Sequence, residues 1–482
     1  MMGVTTSAVA PAVRDERVPL RVSGYEWAWA AVFMGGMTMC GLQFPLGYLI
    51  VLVVLLNRFV RDRYDFLIQI TIFFGRFALI GNDTFGLKPE DVALGLSVVG
   101  LIFCRRTPMM NRVFWACLCY IGAMFLIALT SEELMSVQIR TMRARWGMLY
   151  FIVPILVFAG RDFDLKEMMR RLFPYIIIMS IFYIIDGFIL NGWVMLPYGM
   201  QGDQSIHSTF SNLVCTPFSF VFPRIFAEGL YIMALAVLPV ALYYRLPLWQ
   251  WIVMGVASLA SRTVTVMAGL VATYVIFRGH GRKLLLYVVI GMMSIPVVYL
   301  IDKGTGGFMR VQSTIDQFLT LGEGMDEDDM ANFASGRGAQ VIPKLEALYD
   351  QDREWLGFGF LHPELTKKAK FIIDNDLYID VEKAQEVVTE VEVAPVQTVL
   401  DMGYIGFAVQ LLFFFGLYYM IRKLPYSKYY LSVLVCIFIF GVSGYSGLNT
   451  PGGLIMIGFA LGCVLLADKQ AQRKEGGQAC TL

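Results

Sequence analysis

Several arginines stand beside or between long apolar runs, where a cation is costly unless it faces a cavity or an anion. These arginines are Arg140, Arg143, Arg145, Arg224 and Arg262. Arg140 and Arg143 are three residues apart, which predicts that both lie on one face of a helix. Guanidinium groups bind phosphate oxygens through paired N–H donors, so several of them around one cavity would suit a pyrophosphate group. The alternative is that some of these side chains extend to lipid headgroups.

Acidic residues inside or beside apolar runs are the second set of groups able to do chemistry. Asp186, Glu228 and Asp401 are of this kind, and each is a candidate for ion pairing or proton handling. Asp401 stands shortly before Gly403, so capping of a turn is an alternative role for it. The sequence contains no P-loop, G-x-G-x-x-G, H-E-x-x-H or G-x-S-x-G motif, which argues against an ATP-driven pump.

The elements that position these side chains follow from the composition, because most of the chain is apolar. The 482 residues are 57% hydrophobic and 16% charged, with a mean hydropathy of +0.62. Soluble domains carry roughly 25% charged residues, so this chain has too few charges to cover about three soluble domains. Apolar stretches of membrane-spanning length recur from Tyr25 to Leu466. These features exclude a cytosolic enzyme, a nucleic-acid binder and a disordered scaffold.

The apolar stretches predict an all-α fold, a polytopic membrane helix bundle of roughly 12–14 spans. The predicted spans are approximately residues 25–41, 43–57, 64–81, 90–104, 112–130, 146–160, 173–190, 226–244, 247–260, 263–278, 284–301, 397–421, 429–446 and 451–467. The first two spans, and the two that meet at Ser261-Arg262, are each either a pair of crossings or a re-entrant hairpin. Lys and Arg are enriched in alternate loops and in both termini, which predicts cytoplasmic termini.

One long hydrophilic stretch lies between the late spans and is predicted to form a large helical extracytoplasmic loop. Loops of this length usually carry function. The predicted organisation is a cytoplasmic N-terminal tail (1–24), a transmembrane bundle (25–301), the extracytoplasmic loop domain (302–396), the last spans (397–467) and a cytoplasmic C-terminal tail (468–482).

Three stretches of the chain carry short motifs in a fixed order. The first is Ser258-Leu-Ala-Ser-Arg262, followed by an apolar run. The second comprises Ser335-Gly-Arg337 and Trp355-Leu-Gly-Phe-Gly359, and the third comprises Gln397–Leu400 and Gly403-Tyr-Ile-Gly-Phe407. In this order, with one long outside loop between them, they resemble the O-antigen ligase and Wzy-type polysaccharide polymerase superfamily. The likeness covers about residues 226–420, whereas the N-terminal half agrees in topology alone.

The resemblance implies a membrane glycosyltransferase at the outer face of the bacterial inner membrane. Members of this family move a glycan from a polyprenyl-pyrophosphate donor to a hydroxyl of a lipid-linked acceptor, which is another repeat for polymerases and lipid A–core for ligases. The implied partners are therefore both glycans, membrane lipid and a possible chain-length regulator, with no nucleic acid. The reaction needs neither metal nor nucleotide, so no cofactor is expected.

The resemblance also suggests roles for single residues. Arginines of the outer loops hold the pyrophosphate, whose neutralised charge makes it a better leaving group. The candidates for substrate binding are Arg140, Arg143, Arg224, Arg262 and His362, and the catalytic candidates are Arg337 and Glu392. An exposed loop position is the alternative for His362, which could otherwise serve as a base.

One departure from the ligase pattern favours a polymerase. Ligases are expected to have a histidine shortly before the glycines of the closing span, whereas this chain has Glu390 and Glu392 there. A carboxylate could accept the proton of the attacking hydroxyl, so Glu392 is the candidate base. The alternative is a solvated helix stripe formed by Glu382, Glu386 and Glu390 at i, i+4 spacing.

A secondary transporter or flippase for a lipid-linked or sugar substrate is the competing interpretation. Transporters usually contain two similar halves with broken helices at matching positions, and no such internal symmetry is visible in the sequence. A long acidic loop would also be unusual in a transporter. A membrane O-acyltransferase is the third possibility, but no predicted span contains the histidine that such chemistry would need.

Overall fold

The computed structural model describes a largely helical protein. The described residues are 18–41, 45–63, 65–66, 69, 89–131, 134–159, 162–184, 243–253, 345, 348–360, 394–442, 447–449 and 451–479. The predicted spans at 263–278 and 284–301, and most of the predicted loop domain 302–396, lie outside these residues. The fold below is that of the described part of the chain.

Where every residue between two neighbouring helices is described, the connection is short. The α-helices are α1 (Gly24–Gly41), α2 (Pro45–Arg61), α3 (Pro89–Phe103), α4 (Pro108–Ala128), α5 (Met135–Met142), α6 (Ile152–Phe158), α7 (Leu165–Ile184), α8 (Ala394–Ile421), α9 (Ser427–Val442) and α10 (Pro451–Ala479). Two 3-10 helices span Arg143–Phe151 and Gly447–Asn449. Strands β1 (Val18–Pro19) and β2 (Tyr244–Arg245) pair in parallel.

Proline starts several of these helices because its missing N–H costs nothing in the first turn. Pro45, Pro89, Pro108 and Pro451 each occupy the first position of a helix. Before α4, the Thr107 side chain also accepts a hydrogen bond of 3.2 Å from the Met110 amide, which satisfies one of the free donors of the first turn.

Within the described part of the chain, three helices are long and apolar enough to cross a membrane by length and composition. They comprise Pro108–Ala128, Ala394–Ile421 and Gly453–Lys474. Each overlaps a predicted span, so a helical protein with apolar helices of spanning length is confirmed. The total number of spans, the side on which the termini lie and the loop domain stay predictions.

The predicted span 146–160 is the clearest local departure from expectation. The chain is a 3-10 helix from Arg143 to Phe151 and becomes α-helical only from Ile152 to Phe158. A 3-10 stretch of this length is uncommon, because its hydrogen-bond geometry is poorer than that of an α-helix. Packing against α10 therefore has to stabilise it.

Helix α10 is the central element of the described bundle. Every residue from 453 to 470 is buried, and the helix packs on the 3-10 helix Arg143–Phe151, on α6 and on α9. Gly458 and Gly462 face the 3-10 helix at such close range that a methyl group on Gly462 would overlap the Phe151 carbonyl oxygen. Small residues spaced four apart allow helices to approach closely within a membrane.

An ionic cluster holds α1, α2 and α7 together at one end of the bundle. Its members are Glu26, Arg58, Asp62, Asp65, Glu167, Arg170 and Arg171. Arg58 is fully buried, pairs with Asp65 at 3.3 Å, donates a 2.7 Å hydrogen bond to the Tyr25 hydroxyl and lies 3.6 Å from the Trp29 ring centroid. This cluster fixes the start of α7 against the first two helices.

Candidate functional site

Helix α8 is interrupted at Gly403, which has φ 64° and ψ −173°. Such a break frees backbone groups that need hydrogen bonds, because the apolar side chains around them offer none. The loop of residues 353–360, called here the 353–360 loop, supplies them. Four main-chain hydrogen bonds join loop and break: Phe358 N to Leu400 O (2.7 Å), Gly359 N to Asp401 O (3.0 Å), Tyr404 N to Glu354 O (2.8 Å) and Ile405 N to Trp355 O (3.2 Å).

Glycines make this close approach possible. Gly357, Gly359 and Gly403 all have positive φ, which a side chain would disfavour. A methyl group on Gly357 would lie 2.6 Å from the backbone of Asp401, Met402 and Gly403, and one on Gly403 would overlap the backbone of Trp355. The glycines of two separate motifs therefore serve one contact.

The ends of α4 and α5 hold the 353–360 loop from the other side. Ser131 Oγ donates to the Phe358 carbonyl at 2.6 Å, and Arg353 Nη1 donates to the Thr130 carbonyl at 2.8 Å. Buried Gln138 accepts from the Phe360 amide at 3.3 Å and donates to the Ala128 carbonyl at 2.9 Å. The loop is thus fixed between α8 and the α4–α5 connection.

A buried ion pair joins this assembly to the 3-10 helix. Arg145 Nη2 pairs with Asp401 Oδ2, and their side chains are only 5% and 8% exposed. Gln397 Nε2 donates to the other Asp401 oxygen at 2.7 Å, and the Arg145 guanidinium lies 5.2 Å from the Phe360 ring centroid. Arg145 Nη1 is buried and has no hydrogen-bond partner among the described residues. A buried donor of this kind calls for a ligand or water.

A polar contact on the N-terminal side of the break links α8 to the second 3-10 helix. The Thr398 hydroxyl lies 3.1 Å from Gln410 Oε1 and 3.0 Å from Asn449 Oδ1, and Asn449 Nδ2 donates to the Ala394 carbonyl at 2.6 Å. Polar side chains buried between apolar helices need such partners, since an unmade hydrogen bond there is costly. This contact fixes the first half of α8.

The electrostatics of the ionic cluster differ from those of the Arg145 site. Hydrogen bonds that Arg170 donates to Glu167, together with the charges of Glu167 and Glu26, raise the pKa of Arg170 above its ordinary value. The Arg170 guanidinium is paired with two carboxylates of the cluster. Arg145 instead has one carboxylate partner and one donor nitrogen to spare, which makes the Arg145 site the better candidate for binding an anion.

The predicted site residues divide into those the structure describes and those it does not. Arg224, Arg262, Arg337, His362 and Glu392 lie outside the described residues. The backbone of Arg140 belongs to α5, and half-buried Arg143 is the first residue of the 3-10 helix that follows. The predicted gathering of arginines around one cavity therefore stays a prediction.

The sequence identifies Arg145 and Asp401 as candidate residues, but it does not predict that they pair with each other. Of the roles predicted for Asp401, ion pairing is the one the structure shows. Arg145 does not extend to lipid headgroups, because it is buried. Gln138 and Ser131 were missed, and neither stands in a motif. The sequence feature that could have predicted the Arg145–Asp401 pair is the presence of two opposite charges within apolar sequence, since such charges usually pair with each other.

No model of a known protein family matches this chain, and no curated protein matches it. Among the described residues, no group of three His, Cys, Asp or Glu side chains is arranged to hold a metal ion. The candidate site is therefore characterised by its own geometry: a broken apolar helix, a loop that completes its hydrogen bonds and a buried arginine beside both.

Proposed function

We propose that this protein is a membrane glycosyltransferase that moves a glycan from a polyprenyl-pyrophosphate donor to a lipid-linked acceptor. One observation carries the proposal: the Trp355–Gly359 part of the second motif stretch contacts the third stretch at the Gly403 break. The site also contains a buried arginine, the group that a diphosphate would require.

Arg145 binds a phosphate oxygen of the donor through Nη1, the nitrogen that Asp401 does not engage. Asp401, itself oriented by a hydrogen bond from Gln397, holds the guanidinium in place before substrate arrives, so little reorganisation is needed on binding. Arg140, Arg143, Arg224 and Arg262 bind the rest of the diphosphate, and Arg337 stabilises the charge that develops on it as the glycosidic bond breaks. Charge stabilisation of this kind is strongest where water is excluded.

The acceptor hydroxyl attacks the anomeric carbon and loses its proton to Glu392, with His362 contacting the substrate. Because a carboxylate replaces the histidine expected of ligases, the polymerase is the favoured reaction. The site then lies at the outer face of the bacterial inner membrane, with residues 302–396 outside and both termini in the cytoplasm.

The test uses cells that lack the gene and receive the wild-type protein or one variant, with protein amounts matched. The variants are Arg262→Ala, Arg337→Ala and Glu392→Gln. Surface glycan is then separated on a gel. Single repeats attached to the acceptor support a polymerase, and long unattached chains support a ligase. Wild-type glycan in all three variants would overturn the proposal.

A secondary transporter or flippase is the second candidate, and the break in α8 is the observation that favours it. Transporters bind substrates where apolar helices are discontinuous. In a transporter, Arg262→Ala and Arg337→Ala would leave the surface glycan unchanged and alter the uptake of a solute or the movement of a lipid. The same set of strains distinguishes the two functions.

A further inference from the structure

Three aromatic side chains form an exposed patch beside the Gly403 break. Tyr349, Trp355 and Tyr404 are 51%, 60% and 38% exposed, and they are called here the aromatic patch. The rings of Trp355 and Tyr404 pack edge to face with centroids 6.1 Å apart. The hydroxyls of Tyr349 and Tyr404 share a hydrogen bond. The patch is thus one connected surface.

The contact between the loop and the break does not depend on these side chains alone. Trp355 and Tyr404 join the loop to the break through their main-chain atoms, and those hydrogen bonds are indifferent to the side chain. Large aromatic groups left exposed often mark a binding surface. The aromatic patch is therefore a candidate binding surface as well as a contact between this stretch of chain and α8.

The surroundings of the patch favour a polar ligand with apolar faces. Glu354 Oε2 is buried and has no hydrogen-bond partner among the described residues. The main-chain carbonyl of Glu354 accepts a hydrogen bond from the Tyr404 amide, which places Glu354 beside the patch. Asp350 and Asp352 are exposed on the same stretch of chain. Carboxylates are costly against hydrocarbon, which argues against a patch that simply faces lipid tails.

We propose that the aromatic patch binds a saccharide unit of the glycan, an inference that rests on the proposed function. A pyranose ring presents apolar C–H faces that fit aromatic rings, and hydroxyl donors that fit a carboxylate. Trp355 packs against the face of the sugar, and the free Glu354 oxygen accepts from a sugar hydroxyl. The unit belongs to the donor or to the acceptor, since both carry the same chemistry.

Fluorine NMR of the full chain in lipid nanodiscs tests binding directly. The protein is labelled with 5-fluorotryptophan, and Trp355→Phe identifies the Trp355 signal among the eight tryptophans. The probe is the soluble glycan released by mild acid from polyprenyl-linked material of cells that lack this protein. We expect the Trp355 signal to shift on titration, while the signal of Trp115, which is 63% exposed on α4, does not. If the Trp355 signal does not shift with the glycan but broadens when spin-labelled lipid is added, the inference is overturned and the patch contacts lipid.

Transfer activity supplies the second readout. Trp355→Ala and Glu354→Gln should raise the KM for the glycan substrate about tenfold, with a smaller change in kcat, because stacking and one charged hydrogen bond are lost. Trp355→Phe should recover most of the loss, and Trp115→Ala is the matched control. If the wild type is active and both variants keep its KM, the saccharide site is overturned but the proposed transferase is not. An inactive wild type whose Trp355 signal still responds to the glycan overturns the proposed transferase and leaves the saccharide site standing.

Discussion

Arg145 on the 3-10 helix and Asp401 beside the break in α8 form a buried ion pair, although 256 positions separate them in the chain. The pair joins two elements that depart from regular α-helix. Each departure leaves backbone groups that neighbouring elements must satisfy or cover. The ion pair therefore connects two irregular parts of the described bundle, and this is where substrate contact is proposed.

Removal of one partner should destabilise the protein strongly. Asp401→Asn leaves the Arg145 charge buried without a counterion, which costs about 3–5 kcal/mol. Thermal unfolding of the purified protein in detergent measures the loss. The double variant Arg145→Gln/Asp401→Asn should recover a large part of it, because no charge is then unpaired. Equal losses in the single and double variants would show that the pairing contributes little.

Arg145→Lys separates stability from substrate binding. The lysine keeps a positive charge for Asp401, so the fold should be retained, but its ammonium cannot reproduce the fork of donors. Glycan transfer should fall by about tenfold or more, the value of one hydrogen bond to a charged group. Arg105→Lys, an exposed position, is the control for the same change. Full transfer by Arg145→Lys would remove Arg145 from the proposed diphosphate site.

Gly403→Ala should abolish the contact between α8 and the 353–360 loop. The added methyl group overlaps the backbone of Trp355, and φ is positive, so neither element can adjust cheaply. We expect little folded protein when the membrane fraction is solubilised in detergent and analysed by size-exclusion chromatography. Gly416→Ala on the same helix has open space around it and should be neutral or stabilising by about 1 kcal/mol. Similar yields for the two variants would contradict the geometry of the break.

Gly462→Ala should separate α10 from the 3-10 helix. Its methyl group would overlap the Phe151 carbonyl oxygen, and overpacking of a tight core costs about 1–3 kcal/mol. A lower unfolding temperature in detergent is the expected result. Gly122→Ala, on α4 with nothing nearby, serves as the comparison. If both variants unfold at the wild-type temperature, α10 does not pack as closely as described.

Arg58→Ala should weaken the attachment of α1 and α2 to the bundle. Asp65 would lose its buried partner, at a cost of about 3–5 kcal/mol, and Trp29 would lose its cation–π contact. Limited proteolysis within the α1–α2 region should become faster. Arg61→Ala removes an exposed arginine from the same helix end and should have little effect. Equal proteolysis rates would show that Arg58 does not hold the cluster.

Local features of the sequence were sufficient to predict most described helices. The apolar runs behind α1, α2, α3, α4 and α8 coincide with helices of nearly the predicted extent. This succeeds because a chain in lipid must satisfy its backbone within each segment, so apolar length and flanking charge largely decide where helices form. The sequence also indicated a possible turn at Asp401–Gly403, because glycine tolerates backbone conformations that other residues disfavour.

The tertiary structure alone decided which of these features meet. Nothing local in the sequence indicates that Trp355 and Glu354 complete the hydrogen bonds of the α8 break, that Arg145 pairs with Asp401, or that residues 143–151 form a 3-10 helix. Each depends on groups far apart in the chain, and their pairing follows from the packing of all helices together. Residue type indicates which groups need hydrogen-bond or ionic partners, whereas only the packing of the helices determines which partner each group has.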